Sequence, residues 1–319
     1  MNEAVKAMQK RGLLGIEELS TGQIQQILDC AKFYQPLETR TGKKLDKLEG
    51  RTIIHLFFES STRTRTSFEI AAQRLGADTI SITAEASSVN KGESLLDTLN
   101  TLAAMRPDAI VMRHSASGAP HFLARYLETP IINAGDGTHE HPTQALLDAL
   151  TILDHKRSLS GLRVAIIGDI GHSRVARSNL HLLTKFGARV VLCGPPPMLP
   201  KAFECFSPLV ERTYKMEEAI AGADVIMMLR VQLERQRGHL FATDNEYFRF
   251  YGLRLEHLQM AKPDAIVMHP GPINRGRELS SDVADFPRSV ILNQVENGIA
   301  VRMAVLDLLL SGSSPPSAA

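Results

Sequence analysis

The chain has 319 residues, 44% hydrophobic and 22% charged, which bounds it as a globular protein of about two domains and argues against disorder. Its formal net charge is +1, so the bulk charge favours neither nucleic acid nor an anionic membrane, and any cationic site must be a local cluster. Cys30, Cys193 and Cys205 are far apart and lack metal-type spacing, which fits reduced thiols. The first residues, Met1 to Lys6, hold no apolar signal core, and no apolar run is long enough to span a bilayer. A cytoplasmic location is expected, with a disordered tail over residues 311–319.

In chain order, Ser20 to Tyr34 reads as a first helix, capped by Ser20 or Thr21, with Ile24, Ile27, Leu28 and Ala31 on one face. Pro36 to Glu49 reads as a loop. Thr52–Phe58 reads as a strand. A helix follows, with Phe68, Ala71, Ala72 and Leu75 inward and Gly76 as its stop. Further strands are predicted at Thr79–Ile82, Ala109–Met112 and Pro130–Asn133. Helices are predicted through Leu95, Leu96, Leu99 and Leu102, and over Pro142–Leu153. A second set of units gives strands Arg163–Ile167, Arg189–Cys193, Val225–Met228 and Ala265–Met268, a helix Arg174–Phe186 and a last helix Ile299–Leu310. Apolar strands alternating with amphipathic helices predict an α/β fold of two doubly wound parallel-sheet domains joined by interdomain helices. The boundary falls in or near the Pro142 helix.

Six stretches could carry chemistry. Ser61-Thr62-Arg63-Thr64-Arg65 joins a strand to a helix N-terminus. Hydroxyls, guanidiniums and unpaired N–H groups there suit a phosphate, although an ordinary N-cap with surface arginines is the competing reading. Gly135-Asp136-Gly137-Thr138-His139-Glu140-His141-Pro142-Thr143-Gln144 follows a strand end. His141 and Gln144, three apart, share a helix face. A metal site would want His139 and His141 with Asp136, but the ligand count is poor, so no metal is expected. A general base or hydrogen-bond donor and a plain capping loop both remain open. Arg113 closes a strand and could reach the same crevice or leave the core.

The turn Gly168-Asp169-Ile170-Gly171 lacks the full dinucleotide spacing, which argues against a nicotinamide cofactor, and Arg174 after it could bind a carboxylate. Leu229-Arg230-Val231-Gln232 closes another strand and opens a polar run to Gly238 that reads as a mobile surface segment. His269-Pro270-Gly271-Pro272 is a rigid turn whose carbonyls could accept from an amide, or a loop and nothing more. Arg63, Arg113, Arg174 and Arg230 all fall after strand ends. If they converge, they demand a phosphate and a dicarboxylate. No nucleophile with an adjacent base appears, which points to transfer by positioning and electrostatics, without a cofactor.

Ser61-Thr62-Arg63-Thr64-Arg65, His141-Pro142-x-Gln144 and His269-Pro270-x-Pro272 together resemble the aspartate/ornithine carbamoyltransferases, over nearly the whole chain. Arg230-Val231-Gln232 and Ser87-Ser88-Val89-x-Lys91-Gly92-Glu93 resemble the aspartate branch. The ornithine branch typically has cysteine where Pro270 stands.

The resemblance implies that Ser61, Thr62, Arg63 and Thr64 hold the phosphate of carbamoyl phosphate. It implies that Thr64, Arg113 and His141 polarise the carbamoyl oxygen, and that Gln144 with the carbonyls near Pro270 and Gly271 orients the carbamoyl nitrogen. Arg174, Arg230 and Gln232 would clamp L-aspartate. Ser87, in preference to Ser88, and Lys91 would arrive from a neighbouring subunit of a homotrimer. The domains implied are 1–142 with the C-terminal helix 298–319 for carbamoyl phosphate, and 143–297 for aspartate. The segment Gln232–Gly238 would close over bound aspartate. A regulatory or dihydroorotase-like chain is a further possible partner. The rivals are a carbamoyltransferase for ornithine or another amine, and a non-catalytic carbamoyl-phosphate-binding subunit.

Overall fold

The computed structural model describes residues 11–38, 44–83, 94–232 and 243–311. The chain divides into two compact units, residues 1–150 with 296–319, and residues 151–295. Each unit is built on one five-stranded sheet in which every pairing is parallel. No helix among the described residues is long and apolar enough to cross a membrane.

In the first unit the strands are β1 (Gly12–Leu13), β2 (Thr52–Phe57), β3 (Asp78–Thr83), β4 (Ala109–His114) and β5 (Ile131–Asp136), in the order β1-β5-β4-β2-β3. The helices are α1 (Thr21–Glu38), α2 (Thr62–Arg74), α3 (Leu95–Ala104), the short α4 (Ala119–Leu123) and α5 (Pro142–Lys156). Central strands read as unbroken apolar runs because both faces are covered. Ile54, Leu56, Ile110, Met112 and Ile131 pack with Leu99 and Leu123 in one cluster. Each such side chain, fully buried, contributes about 1.5–3 kcal/mol. From β2 the chain goes outward to β3 and then returns to β4 on the other flank of β2. The carboxyl ends of β2 and β4 therefore form a topological switch point, the place where open α/β sheets bind ligands.

The second unit repeats the plan. Its strands are β6 (Arg163–Ile167), β7 (Arg189–Cys193), β8 (Val210–Thr213), β9 (Val225–Met228) and β10 (Ile266–Met268), ordered β10-β9-β6-β7-β8. The helices are α6 (Arg174–Lys185), α7 (Met216–Ile220), α8 (Asp244–Tyr251), α9 (Leu255–Leu258), α10 (Ser281–Ala284) and α11 (Ile291–Leu310), the last continuing into the first unit's residues. Here the switch point lies between β6 and β9. Two helices stop by the same device. Gly76 and Gly187 adopt positive φ of 89° and 78°. The N–H groups of Gly76 and Ala77 bond Gln73 and Ala72, and those of Gly187 and Ala188 bond Thr184 and Leu183, closing both ends in Schellman geometry.

Several elements depart from the sequence expectation. The first helix runs on to Glu38, into the stretch read as loop. The fourth strand extends through Asp136, so that residue ends β5 instead of opening a loop. The last helix starts at Ile291, eight residues before the expected Ile299. Gly298 lies inside this helix and leaves room for its neighbours: a Cβ would lie 2.5 Å from Arg302 Nη1 and 3.3 Å from Leu147 Cδ2. The short β1, β8 and α4 carry too little periodicity to be read. The 85–93 loop and the tail beyond Ser311 lie outside the described residues.

His55 in β2 is fully buried, and its Nε2 has no hydrogen-bond partner among the described residues. Burial pushes its imidazole down to about 4, with a smaller opposing effect from Glu69. The unfolded chain therefore binds the proton more readily below about pH 6.5. Stability should fall as the pH drops through that window, and this residue alone should remove about 2 kcal/mol between pH 7 and pH 5. Urea unfolding of wild type and His55→Leu at the two pH values checks this; the variant should lose correspondingly less on acidification.

Candidate active site

In the first unit the anion corner sits at the carboxyl end of β2. Ser61 occupies the N-cap of α2 in extended conformation, yet its side chain makes no capping hydrogen bond. Its hydroxyl instead donates to Thr64 Oγ1 at 3.0 Å. Ser61 therefore holds the cap position without spending its side chain on a first-turn N–H group of α2, and helix N-terminal N–H groups suit an anion. Thr64 is buried, while Thr62 and Arg63 are exposed at the same turn. The two arginines of the motif differ. Arg65 lies 3.6 Å from Glu69, one helical turn on, and Glu69 also accepts from the Ser81 hydroxyl.

Arg113 stands beside this corner because β4 pairs with β2 in register, Phe57 opposite Arg113. Its Nη2 meets Glu59 Oε1 at 2.5 Å, and its Nη1 donates to the Ala134 carbonyl at 3.4 Å. The fork is therefore held by strand register on one side and by a carboxylate two residues before Ser61 on the other. Nothing in the sequence pattern pointed to Glu59.

The turn after β5 is organised by Asp136, which is fully buried. Its Oδ1 accepts from Asn133 Nδ2 at 2.9 Å and the Glu140 N–H at 3.0 Å; its Oδ2 accepts from the Gly118 N–H at 2.6 Å and lies 3.0 Å from His139 Nδ1. Burial raises the carboxyl's pKa, but the bonds from His139, Asn133 and Gly118 outweigh it and hold the group below its ordinary range. The same bond to Asp136 raises His139. His141 is buried, and its carbonyl accepts from the Gln144 and Ala145 N–H groups as α5 begins. Pro142 occupies the first helical position, where no N–H is needed.

Gln144 donates its amide nitrogen to Asp148 Oδ1 at 2.9 Å. A carboxylate only accepts, so the bond fixes the amide's orientation and leaves Gln144 Oε1 to receive a donor. Asp148 is fully buried and is the electrostatic partner of the buried Arg302, whose guanidinium bonds the Gly298 carbonyl and lies 5.0 Å from the Phe68 ring of α2. Asp148→Asn should cost about 3 kcal/mol, because Arg302 keeps its charge and loses its counter-charge. Urea unfolding at neutral pH measures it; a loss under half a kcal/mol would refute the coupling.

In the second unit, Arg174 opens α6 just past the Gly168–Ser173 turn and is almost fully buried. Ser173 caps the helix, its side chain accepting from the Ala176 N–H at 3.1 Å. Gly168 has φ 136°, and a Cβ there would lie 2.9 Å from the Leu229 carbonyl oxygen. The glycine thus answers to the close approach of the β6 and β9 ends, and the partial dinucleotide spacing has a packing cause. Arg230 and Gln232 follow β9, and their backbone is tethered by two buried carboxylates. The Gln232 N–H donates to Asp169 Oδ2 at 3.2 Å, and the Val231 N–H to Glu278 Oε1 at 3.2 Å. Asp169 also pairs with His172 Nδ1 at 2.7 Å. These two organisers were not foreseen; they lie 63 and 47 residues from the segment they hold.

The His269–Pro272 turn follows β10. The His269 N–H donates to Gln294 Oε1 at 2.9 Å, and the Gly271 N–H to His269 Nδ1 at 2.8 Å; the Gly271–Pro272 bond is cis. Pro270 and Gly271 are partly exposed. Within the first unit, then, Ser61, Thr62, Arg63, Thr64, Arg113, His141 and Gln144 all follow or open elements at strand carboxyl ends. Within the second, Arg174, Arg230, Gln232, Pro270 and Gly271 do the same. Ser87, Ser88, Lys91 and the 233–238 segment lie outside the described residues. Of the cysteines, Cys30 and Cys193 are buried thiols pushed up to about 12, chiefly by burial, and Cys205 is exposed.

Comparison with known proteins adds the family. Residues 11–154 match the family model described as aspartate/ornithine carbamoyltransferase, carbamoyl-P binding domain, and residues 160–309 match that family's Asp/Orn binding domain. An aspartate carbamoyltransferase catalytic subunit of Solibacter usitatus is 73% identical over 299 residues, 94% of this chain and 99% of that one. One from Syntrophotalea carbinolica is 56% identical over 306 residues, 96% and 97% of the two chains. Among solved structures, aspartate transcarbamoylase of Trypanosoma cruzi with carbamoyl aspartate and phosphate superposes with TM-score 0.85 at 34% identity, covering 96% and 97%. Ornithine carbamoyltransferase of Pyrococcus furiosus does so with TM-score 0.85 at 31% identity, covering 96% and 99%. Backbone similarity is thus equal for the two substrate branches, while the relatives at 73% and 56% identity carry the aspartate name.

Proposed function

Because the chain belongs to the aspartate/ornithine carbamoyltransferase family, we propose that it transfers the carbamoyl group of carbamoyl phosphate to the amine of L-aspartate, giving N-carbamoyl-L-aspartate and phosphate. That is the committed step of de novo pyrimidine biosynthesis, placed here in the cytoplasm. The observation that carries the reading is the α2 N-terminus with Arg63, left without a side-chain cap bond from Ser61 and following β2, whose Phe57 pairs with Arg113 of β4. It supplies an anion cradle and a cationic fork at one switch point.

The deprotonated amine attacks the carbamoyl carbon, and negative charge grows first on the carbamoyl oxygen, then on the departing phosphate. Thr64, Arg113 and His141 stabilise the first charge. Ser61, Thr62, Arg63, Thr64 and the α2 N–H groups stabilise the second. Gln144 Oε1, turned away from Asp148, accepts from the carbamoyl nitrogen together with carbonyls at Pro270 and Gly271. Arg174 and Arg230, with Gln232, hold the two carboxylates of aspartate bidentately, a geometry lysine does not reproduce. No covalent intermediate, metal or cofactor is invoked. Residues 1–142 with 298–319 would bind carbamoyl phosphate and 143–297 aspartate; the two compact units and the two family models support that division.

The active unit on this reading is a homotrimer in which Ser87 and Lys91 enter a neighbouring subunit's site, and a regulatory or dihydroorotase-like chain is a possible further partner. The support is the family resemblance of residues 87–93. An analogue joining a phosphonate to a succinate tests the two-substrate reading. Calorimetric titration should show one analogue per chain, bound at least 100-fold more weakly by both Arg63→Ala and Arg230→Ala. Unchanged binding in either variant would overturn it.

A further inference from the structure

We propose that His121, Asp136 and His139 form a binding site for a divalent transition-metal ion of the zinc class, with Glu18 orienting the His121 ring from its other nitrogen. The site lies wholly within the first unit and takes no part in the reaction above. One ligand atom from each of His121, Asp136 and His139 falls within 4.8 Å of the others. The two imidazoles stand edge to face, with ring centroids 5.2 Å apart and planes at 75°. His139 Nδ1 is 3.0 Å from Asp136 Oδ2, and His121 Nε2 is 3.1 Å from Glu18 Oε1. His121 Nδ1 is buried and has no hydrogen-bond partner among the described residues.

The surroundings suit a dication. Asp136 is aimed by bonds from Asn133 and from the Gly118 and Glu140 N–H groups, the outer support that oriented metal carboxylates have. The Glu140 carboxylate accepts from the Ile16 and Glu17 N–H groups, which draws the Glu17–Glu18 segment to the same turn. Glu17 and Glu140 add negative potential at His139.

Two imidazoles with one carboxylate select zinc, cobalt or nickel over magnesium and calcium, which take all-oxygen sites. Zinc–nitrogen and zinc–oxygen bonds of about 2.0–2.2 Å require the donors to draw together by roughly 1 Å. The partly exposed rings of His121 and His139 can turn to do so. The ion would replace the His139–Asp136 hydrogen bond and tie α4 to the turn that precedes α5. Sequence spacing hid the site, because His121 lies on α4, 15 residues before Asp136.

Zinc chloride is titrated calorimetrically into the metal-stripped full chain, and cobalt chloride is added in parallel with visible absorption recorded. The expected result is one ion per chain. His121→Ala and His139→Ala should each weaken binding at least tenfold, and Glu18→Gln several-fold. Zinc should also raise the melting temperature of wild type and not of the two histidine variants. Melting without zinc reports whether each variant is folded, and Glu18→Gln alters only an exposed side chain. Dissociation constants weaker than about 100 μM, undiminished binding in either histidine variant, or a thiolate-to-cobalt charge-transfer band would each overturn the site.

Discussion

Arg63→Ala is expected to lower kcat/KM by about 10²–10³, the usual cost of removing one donor fixed against transition-state charge. The loss should appear mainly in kcat, because Arg63 stands at the α2 N-terminus, where the proposed mechanism has the charge of the leaving phosphate grow. Arg65→Ala is the internal control. Arg65 lies against Glu69 on the flank of the helix, 3.6 Å away, so its removal should cost far less. A sequence motif cannot rank the two arginines; the helix geometry does. Steady-state kinetics on both variants, with circular dichroism to check folding, decide it. Equal losses would mean that Arg65 reaches the ligand after all.

Arg230→Ala should be of similar size and opposite signature. The expected result is a fall of about 10²–10³ in kcat/KM for aspartate, dominated by a rise in aspartate KM, with carbamoyl phosphate binding retained. Arg230→Lys should recover little, since an ammonium cannot make the two parallel bonds of a guanidinium fork. The backbone around Arg230 is positioned through Val231 and Gln232 by Glu278 and Asp169. Asp169→Asn should therefore give a milder version of the same aspartate-specific defect. An equal loss of affinity for both substrates would show that Arg230 supports the fold and not one ligand.

Much of the architecture was legible because buried parallel strands write themselves as apolar runs. Residues 52–57, 109–112, 163–167 and 225–228 are examples, and their helices carry apolar faces such as Phe68, Ala71, Ala72 and Leu75. What escaped reading lacked local signal. In β8 only Val210 is buried and the next three residues are polar, so no periodicity marks it. The start of α11, at Ile291, also escaped; Gly298 lies inside that helix and leaves room for Arg302 and Leu147.

The candidate site divides in the same way. The residues proposed to face the ligands follow strand ends in compact motifs, which a sequence displays. The carboxylates that aim them were not legible: Glu59 for Arg113, Asp148 for Gln144, Asp169 and Glu278 for the Arg230 segment. Most of these bonds join residues distant in sequence, and single acidic residues carry no spacing pattern.

Product identity tests the central claim most directly. Purified protein is incubated with carbamoyl phosphate and an equimolar mixture of L-aspartate and L-ornithine, and the carbamoylated products are separated and weighed by mass spectrometry. The account predicts N-carbamoyl-L-aspartate with an equivalent release of phosphate, and no citrulline above the uncatalysed background. Citrulline as the main product, or no enzyme-dependent carbamoylation of aspartate, would contradict it.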